Sequence, residues 1–86
     1  MASITLYSAL GCGFCNAAEN ILRRKGITQW HKVVVDHEPG SLDKMIELTG
    51  RRTVPQIFIG SVHVGGFDDL LALDRQGKLD ELLSGC

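Results

Sequence analysis

The alternation of hydrophobic and polar residues along the chain predicts four short strands. The first alternates as half-buried strands do, and the second ends in a run of three valines, which favour extended backbone. Gly60 and Ser61 separate the last two strands, which is typical of a two-residue β-hairpin turn. The predicted strands cover residues 4–7, 29–35, 56–59 and 62–64.

Helices are predicted where hydrophobic positions recur at three- and four-residue spacings. The first helix has its basic run, residues 23–25, in the last turn, where cations suit the helix dipole, and Gly26 can end it. A third helix is predicted from near Phe67 to near Gly77, and a short terminal helix follows. The apolar stripe of the first helix consists of Phe14, Ala18, Ile21 and Leu22, and that of the terminal helix of Leu79, Leu82 and Leu83.

The second helix is predicted after a loop that contains Pro39 and Gly40. Ser41 is expected to cap its N terminus through the hydroxyl group, and Gly50 lies just past its end, where glycine commonly terminates helices. The side chains expected to face the core are Leu42, Met45, Ile46 and Thr49.

The elements follow the order β-α-β-α-β-β-α-α. The strand–helix–strand unit at the start requires a right-handed crossover and parallel strands, whereas the later hairpin adds an antiparallel pair. The sequence therefore predicts an α/β fold with a small four-stranded mixed sheet and helices on both faces. With 86 residues, the chain is expected to form a single domain over residues 1–86.

The charge balance argues against strongly charged partners. Nine Lys and Arg stand against ten Asp and Glu, so no field steers the chain toward nucleic acid or an anionic membrane. No apolar run approaches the roughly 18 residues of a membrane-spanning helix. Residues 1–7 lack the basic and apolar regions of a secretory signal. We therefore expect a cytoplasmic protein, or one from which a leader has been cleaved, that binds neither nucleic acid nor membrane.

Two of the three cysteines form a Cys-x-x-Cys motif where the first strand gives way to the first helix. The unpaired N–H groups and the dipole of a helix start stabilise a thiolate, so Cys12 is expected to be reactive, with Cys15 close enough to attack a disulfide formed on it. In a βαβ context this spacing indicates a redox motif. A pair of inert buried cysteines and a zinc site are the alternatives, but zinc would need further ligands from Cys86 and three histidines, none at finger-like spacing.

Three segments together make the chain similar to the glutaredoxin family. They are CGFC at residues 12–15, TVPQIFI at residues 53–59 and GGFDD at residues 65–69, in that family's order and spacing. The resemblance implies a thioredoxin-like fold and glutathione as cosubstrate. It also implies exchange between glutathione and the disulfides of proteins, glutathionylated proteins or small molecules, with Cys12 as nucleophile and Cys15 as resolving thiol.

The resemblance also implies where glutathione binds. Val54 precedes a proline and is therefore extended, so that its N–H and C=O can pair with the peptide as an added strand would. In the family the bond before Pro55 is cis. The N–H groups of Phe67 and Asp68 at a helix start suit the γ-glutamyl carboxylate, and the Asp68 side chain suits the adjacent ammonium group. The expected glutathione-binding residues are Phe14, Thr53, Val54, Pro55, Gly66, Phe67 and Asp68.

Two of the residues near these motifs have a simpler interpretation as well. The Phe14 ring is expected beside the sulfur of glutathione, where many glutaredoxins have tyrosine, but it also fits the first position of the core stripe. Asp69 is interpreted as a residue that only complements the helix dipole.

The chain departs from the family pattern at three positions. Gly13 stands where many glutaredoxins have proline. Ala9 and Leu42 stand where they often have the lysine and the glutamine or basic residue that contact the glycine carboxylate of glutathione. Arg52 and Lys44 are the candidates to replace that contact, and a weaker affinity for glutathione follows if neither does.

The CGF part of the motif also matches the CGFS motif of cluster-carrying glutaredoxins. This leaves open a [2Fe–2S] homodimer in which each subunit provides Cys12 and two glutathiones complete the four thiolates. Without such a cluster, we expect a monomer with no metal site. A third alternative is a thioredoxin-like redoxin that is reduced by a flavoprotein instead of glutathione. Cys86 is expected to be an exposed thiol without a role.

Overall fold

The computed structural model describes residues 3–84 and has the predicted order of elements. The strands are β1 (Ile4–Ser8), β2 (His31–Val34), β3 (Gln56–Ile59) and β4 (Val62–Gly65). The helices are α1 (Gly13–Arg24), α2 (Ser41–Thr49), α3 (Phe67–Arg75) and α4 (Lys78–Ser84). None of the helices within residues 3–84 combines the length and the apolar character that crossing a membrane requires. Cys86 lies outside the described residues.

The four strands form one mixed sheet in the order β2-β1-β3-β4. β1 and β2 are parallel, as the crossover through α1 requires, and Tyr7 lies opposite Val33. β1 with β3 and β3 with β4 are antiparallel pairs, and the last pair is joined at Gly60, whose φ of 60° suits a tight hairpin turn. The predicted α/β fold with a four-stranded mixed sheet is confirmed.

The two faces of this sheet are covered unequally. On one face, α1, α3 and α4 pack against β1 and β3 around a large hydrophobic cluster. On the other face, α2 contributes Met45 to a small cluster with Tyr7 and Val33. Side chains alternate along β1, so that Ile4 and Leu6 enter the large cluster while Tyr7 enters the small one. The large cluster therefore fixes the positions of α1 and α3, the two helices that begin at the candidate active site.

The start and the inner face of α2 differ from the prediction. Ser41 is not the N-cap, because the helix follows Gly40 at a φ of 78°, and the Ser41 hydroxyl donates to the Glu38 carbonyl instead. Leu42, which was predicted to face the core, is 42% exposed, and Met45 is the fully buried residue of the stripe. Since α2 meets the sheet through the small cluster alone, its first turn stays open to solvent.

Two further predictions are wrong at the ends of elements. β2 begins at His31 rather than at residue 29, because its pairing with β1 starts at Thr5. Phe14 does not join the core stripe but is 65% exposed, since the first turn of α1 lies beyond the carboxyl end of β1. Gly26 and Gly50 follow α1 and α2 in the left-handed conformation, as predicted.

Candidate active site

Cys12 and Cys15 lie at the N terminus of α1 and are joined by a disulfide bond. Cys12 is the N-cap residue and is half-buried, whereas Cys15 is 1% exposed. The Cys15 N–H donates to Cys12 Sγ over 3.1 Å, so the sulfur accepts the hydrogen bond that a serine or aspartate oxygen accepts at many helix starts. A second molecule can therefore reach the Cys12 sulfur, while the Cys15 sulfur can reach only that of Cys12.

The charge environment of the Cys12 sulfur favours its ionised form. The sulfur lies at the positive end of the α1 dipole, and the first turn of α1 contains no acidic residue that would oppose it. Once the disulfide is reduced, a thiolate here gains from both the dipole and the Cys15 N–H.

An open cleft of about 310 Å³ lies next to this motif. It is formed by the start of α1, the irregular segment 51–55 and the start of α3. Cys12 Sγ is 3.9 Å from the carbonyl oxygen of Val54, which is part of the cleft wall. The lining residues are Phe14, Arg51, Thr53, Val54, Pro55, Gly66, Phe67, Asp68 and Asp69. The structure therefore brings all seven predicted glutathione-binding residues together in one cleft, where their binding role remains a prediction.

Segment 53–55 forms one wall of the cleft. Its Val54-Pro55 peptide bond is cis, as the resemblance implies. Across the cleft, a Cβ atom at Gly66 would lie 3.4 Å from the Pro55 carbonyl oxygen. A residue without a side chain at this position therefore lets the two walls approach closely.

The start of α3 forms the opposite wall and depends on Asp69. Asp69 Oδ2 accepts a hydrogen bond from the Gly66 N–H over 2.9 Å and another from Arg51 over 3.1 Å. These two donors, the Gly66 N–H above all, lower the pKa of Asp69 below its ordinary value. Asp69 thus does more than complement the helix dipole, which corrects the prediction. The N–H groups of Phe67 and Asp68 belong to the first turn and have no partner within the helix.

The rim of the cleft near Cys12 is apolar. The rings of Phe14 and Phe67 lie 5.7 Å apart across the cleft. Leu10, which precedes the motif, is 66% exposed, and its N–H donates to Asp36 Oδ2 over 2.8 Å, so the loop that carries it is tied to the rest of the chain. A ligand in the cleft therefore meets the aromatic surface of Phe14 and Phe67, whereas Leu10 is not among the residues that line it.

The cationic side chain that lines the cleft is Arg51, and neither of the predicted candidates, Arg52 and Lys44, takes this place. Arg51 lines the cleft and pairs with Asp69, whereas Arg52 does not line it and Lys44 lines a separate groove at the start of α2. Arg51 and Arg52 are adjacent in the sequence, and no pattern distinguishes them. Their difference arises from the turn after α2, which directs one side chain to α3.

A metal site finds no support within residues 3–84. No three His, Cys, Asp or Glu side chains are grouped there in a way that could hold a metal ion. His63, one of the histidines considered for zinc, instead has its Nε2 atom 2.8 Å from Gln56 Oε1.

Comparisons with known proteins agree with this geometry. A sequence model described as Glutaredoxin matches residues 4–64. The chain is 42% identical over 84 residues to a glutaredoxin of Neisseria meningitidis serogroup A, which covers 98% of this chain and 99% of that protein.

Solved structures give the same result. The crystal structure of a buckwheat glutaredoxin–glutathione complex has a TM-score of 0.89 at 30% identity and covers 99% of this chain and 79% of the buckwheat chain. The solution structure of a glutaredoxin from Brucella melitensis has a TM-score of 0.83 at 47% identity and covers 96% and 89% of the two chains. The fold is therefore thioredoxin-like, and the chain belongs to the glutaredoxin family of thiol–disulfide oxidoreductases.

Proposed function

We propose that the protein is a glutathione-dependent thiol–disulfide oxidoreductase with Cys12 as nucleophile and Cys15 as resolving thiol. The observation that carries the proposal is the position of Cys12 Sγ, at the N terminus of α1 and 3.9 Å from the Val54 carbonyl on the cleft wall. An ionisable, reachable sulfur thus adjoins a main-chain segment outside any strand, whose N–H and C=O groups can pair with a peptide. The buckwheat relative, which was crystallised as a complex with glutathione, supports the choice of ligand.

Glutathione is proposed to lie extended along Val54. The carboxylate of its γ-glutamyl residue accepts hydrogen bonds from the N–H groups of Phe67 and Asp68, and its ammonium group pairs with the Asp68 carboxylate. Phe14 and Phe67 then flank its sulfur. Among the residues lining the cleft, the cation is Arg51, which already pairs with Asp69. The glycine carboxylate thus depends mainly on backbone contacts, and we expect a weaker hold on this end of the ligand.

The first step is thiol–disulfide exchange on a glutathionylated substrate. The Cys12 thiolate attacks the glutathione sulfur of the mixed disulfide, the bond between that sulfur and the substrate sulfur breaks, and the substrate leaves as a thiolate that takes a proton from water. The product is a Cys12–glutathione disulfide. Substrates of this step are glutathionylated proteins and small molecules.

Two routes then return the enzyme to its reduced state. In one, a second glutathione thiolate attacks the glutathione sulfur on Cys12, which forms oxidised glutathione and frees the Cys12 thiolate. In the other, Cys15 attacks the Cys12 sulfur, glutathione leaves, and the Cys12–Cys15 disulfide forms, which two further glutathiones reduce. The same cysteine pair reduces protein disulfides: the Cys12 thiolate attacks one sulfur and releases the other as a thiolate, and Cys15 then attacks the Cys12 sulfur, which frees the second protein thiol and forms the Cys12–Cys15 disulfide. Both routes need a pool of reduced glutathione, and we propose that the protein acts in the cytoplasm as a monomer.

The test is turnover of a peptide that carries one glutathionylated cysteine, with glutathione as reductant. We expect Cys12→Ser to lower the rate by about 10³-fold or more, because a hydroxyl does not ionise at neutral pH. Cys15→Ser removes only the second route and should retain turnover through the first. Cys86→Ser, the matched control, should behave as the wild type. Full activity of Cys12→Ser, or reduction by a flavoprotein reductase but not by glutathione, would contradict the proposal.

A second candidate function is assembly of a [2Fe–2S] cluster, which supplies iron-based electron transfer or cluster delivery when bound. In its favour, Cys12 is half-buried beside an open cleft, and a Cβ at Gly13 would meet no atom within 4 Å apart from its chain neighbours and the backbone of α1. Cys12 of each of two subunits and two glutathione thiols would hold the cluster. Anaerobic reconstitution with iron, sulfide and glutathione should then give a brown protein of doubled mass, and a colourless monomer would exclude this function.

A further inference from the structure

We infer that Gln56 is a positioning residue for glutathione, because its buried amide fixes the segment 53–55 in the conformation that presents Val54 to the ligand. The inference rests on the proposed function. Gln56 does not line the cleft, and neither does His63, the side chain that orients it. Both would act on binding through the cleft wall rather than by contact with the ligand.

Gln56 is buried, and its amide is paired with the segment before it. It is the first residue of β3, it lies opposite Tyr7 on the central strand β1, and it is 0% exposed. Its Nε2 atom donates to both acceptors of Thr53, to the carbonyl oxygen over 3.0 Å and to the hydroxyl over 3.2 Å. A buried amide is costly unless its polar atoms are paired, so these bonds are strongly preferred over alternatives open to water.

The hydrogen-bond partners of the Gln56 side chain fix the orientation of its amide group. The Thr53 carbonyl can only accept, so the nitrogen of the amide faces Thr53 and its oxygen faces His63 Nε2, 2.8 Å away. His63 must then carry a proton on Nε2 to donate. The His63 ring is held on β4 by stacking against Phe58, with 4.9 Å between ring centroids. His63 therefore selects the orientation in which Gln56 donates to the segment.

The wall formed by segment 53–55 has no backbone ladder of its own. Residues 51–55, all of them described, belong to no helix or strand, so no ladder of backbone hydrogen bonds fixes them. Thr53 immediately precedes Val54, whose carbonyl lies 3.9 Å from Cys12 Sγ. The two bonds from Gln56 thus replace the missing ladder at the residue next to the one that pairs with the ligand. A segment held in its bound conformation binds more tightly because less freedom is lost on association.

The test compares Gln56→Met, which keeps the length of the side chain but removes its donors, with the wild type. For the glutathionylated peptide we expect KM to rise about tenfold, the effect of losing about one to two hydrogen bonds, while kcat changes less than about threefold. The alkylation rate of reduced Cys12 should not change, since Gln56 does not contact it. His63→Leu, which removes only the orienting donor, should raise KM by about threefold.

Two controls separate positioning from general loss of stability. Leu79→Ala removes buried volume from the large cluster on the other side of the sheet and should leave KM unchanged. Gln56→Glu keeps size and polarity but directs a carboxylate oxygen at the Thr53 carbonyl, so KM should rise at least as far as in Gln56→Met. A KM within twofold of wild type in folded Gln56→Met, or an equal rise in Leu79→Ala, would overturn the inference. If Gln56→Met does not fold, the same criterion applies to His63→Leu.

A measurement without substrate tests the positioning role of Gln56 independently of the proposed glutathione-dependent activity. In the absence of ligand, the ¹⁵N order parameters of the Thr53 and Val54 amides should fall from rigid values of about 0.85 toward about 0.6 in Gln56→Met. Unchanged order parameters would overturn the positioning role even if the enzyme turns over. If the wild type does not use glutathionylated peptides at all, the proposed function fails, while a fall in the order parameters still supports the role of Gln56 in fixing the segment.

Discussion

Two helices begin at the cleft, and their first turns are completed in different ways. At α1 the N-cap is Cys12, whose sulfur accepts a first-turn N–H over 3.1 Å. At α3 the N-cap is Gly66, which has no side chain, and the Asp69 carboxylate turns back to the Gly66 N–H instead of a first-turn N–H. The first-turn N–H groups of Phe67 and Asp68 are therefore left for a ligand.

The difference shows one physical property used for two purposes. A helix start favours negative charge. At α1 a side chain of the protein meets this preference, and we propose that it reacts as a thiolate, whereas at α3 the proposed partner is the carboxylate of another molecule. Both helices pack against the large cluster on the same face of the sheet, which fixes the Cys12 sulfur and the start of α3 relative to each other. Segment 51–55, which forms the other wall of the cleft, follows α2, and its Val54 packs against the small cluster on the opposite face of the sheet.

The largest effect on stability is expected from Gly65→Ala, which would displace the Asp69 carboxylate from the start of α3. Gly65 has a φ of 115°, and an added methyl group would overlap the Asp69 carboxylate that caps the helix. We expect a loss of about 2–3 kcal/mol in the free energy of unfolding, measured by urea denaturation. The control is Gly77→Ala, which has a φ of 75° and open space around it, and should lose only about 1 kcal/mol. Equal losses in the two variants would show that the cap is unimportant.

The next effect concerns the start of α3, where the ligand is proposed to bind. Asp68→Asn removes the charge that is proposed to pair with the ammonium group of glutathione, and KM for the glutathionylated peptide should rise about tenfold. Glu81→Gln removes the same charge from the first turn of α4, outside the cleft, and should leave KM unchanged. A similar rise in both variants would mean that overall charge, rather than the start of α3, attracts the ligand.

A smaller effect tests whether the Cys12 sulfur caps α1. Under reducing conditions both Cys12→Ser and Cys12→Ala are expected to be inactive, but serine can accept the Cys15 N–H and alanine cannot. Urea denaturation should therefore find Cys12→Ala about 1 kcal/mol less stable than Cys12→Ser. If the two unfold at the same urea concentration, the sulfur has no capping role in the reduced protein.

The smallest effect comes from the titration of Asp69. Its pKa is lowered in the folded state, so its contribution to stability is present above the ordinary aspartate value of 3.8 and is lost as the pH falls through the folded pKa. Stability curves of the wild type and Asp69→Asn should thus differ most near neutral pH and converge below pH 3.8. A difference that is constant across this range would exclude an ionised Asp69 as the acceptor.

Much of the fold follows from local sequence patterns. The alternation in β1, the glycines after α1 and α2, and the Gly60 turn each act over a few residues, and the structure has them as predicted. The cysteine motif also falls at a helix start, because strand and helix signals meet there. These features need no knowledge of what lies across the molecule.

Most of the features that the sequence did not predict depend on contacts between distant segments. Asp69 binds Arg51, eighteen positions away, and no local pattern separates Arg51 from Arg52. Phe14 continues the spacing of the core stripe but is exposed, because the sheet ends before the first turn of α1. Ser41 resembles an N-cap, yet its hydroxyl turns to Glu38 because Gly40 takes the left-handed conformation. The first two outcomes depend on parts of the chain that are far apart in the sequence, whereas the third depends on the backbone conformation of the loop before α2.

The central claim is that the start of α1 ionises the Cys12 sulfur, and its most direct test is the pKa of that thiol. The rate of alkylation of Cys12 by iodoacetamide as a function of pH gives this value in the reduced Cys15→Ser, Cys86→Ser variant, where no other cysteine remains. The account predicts a pKa clearly below the ordinary cysteine value of about 8.5, with the thiolate predominant at neutral pH. A value at or above the ordinary one would contradict it.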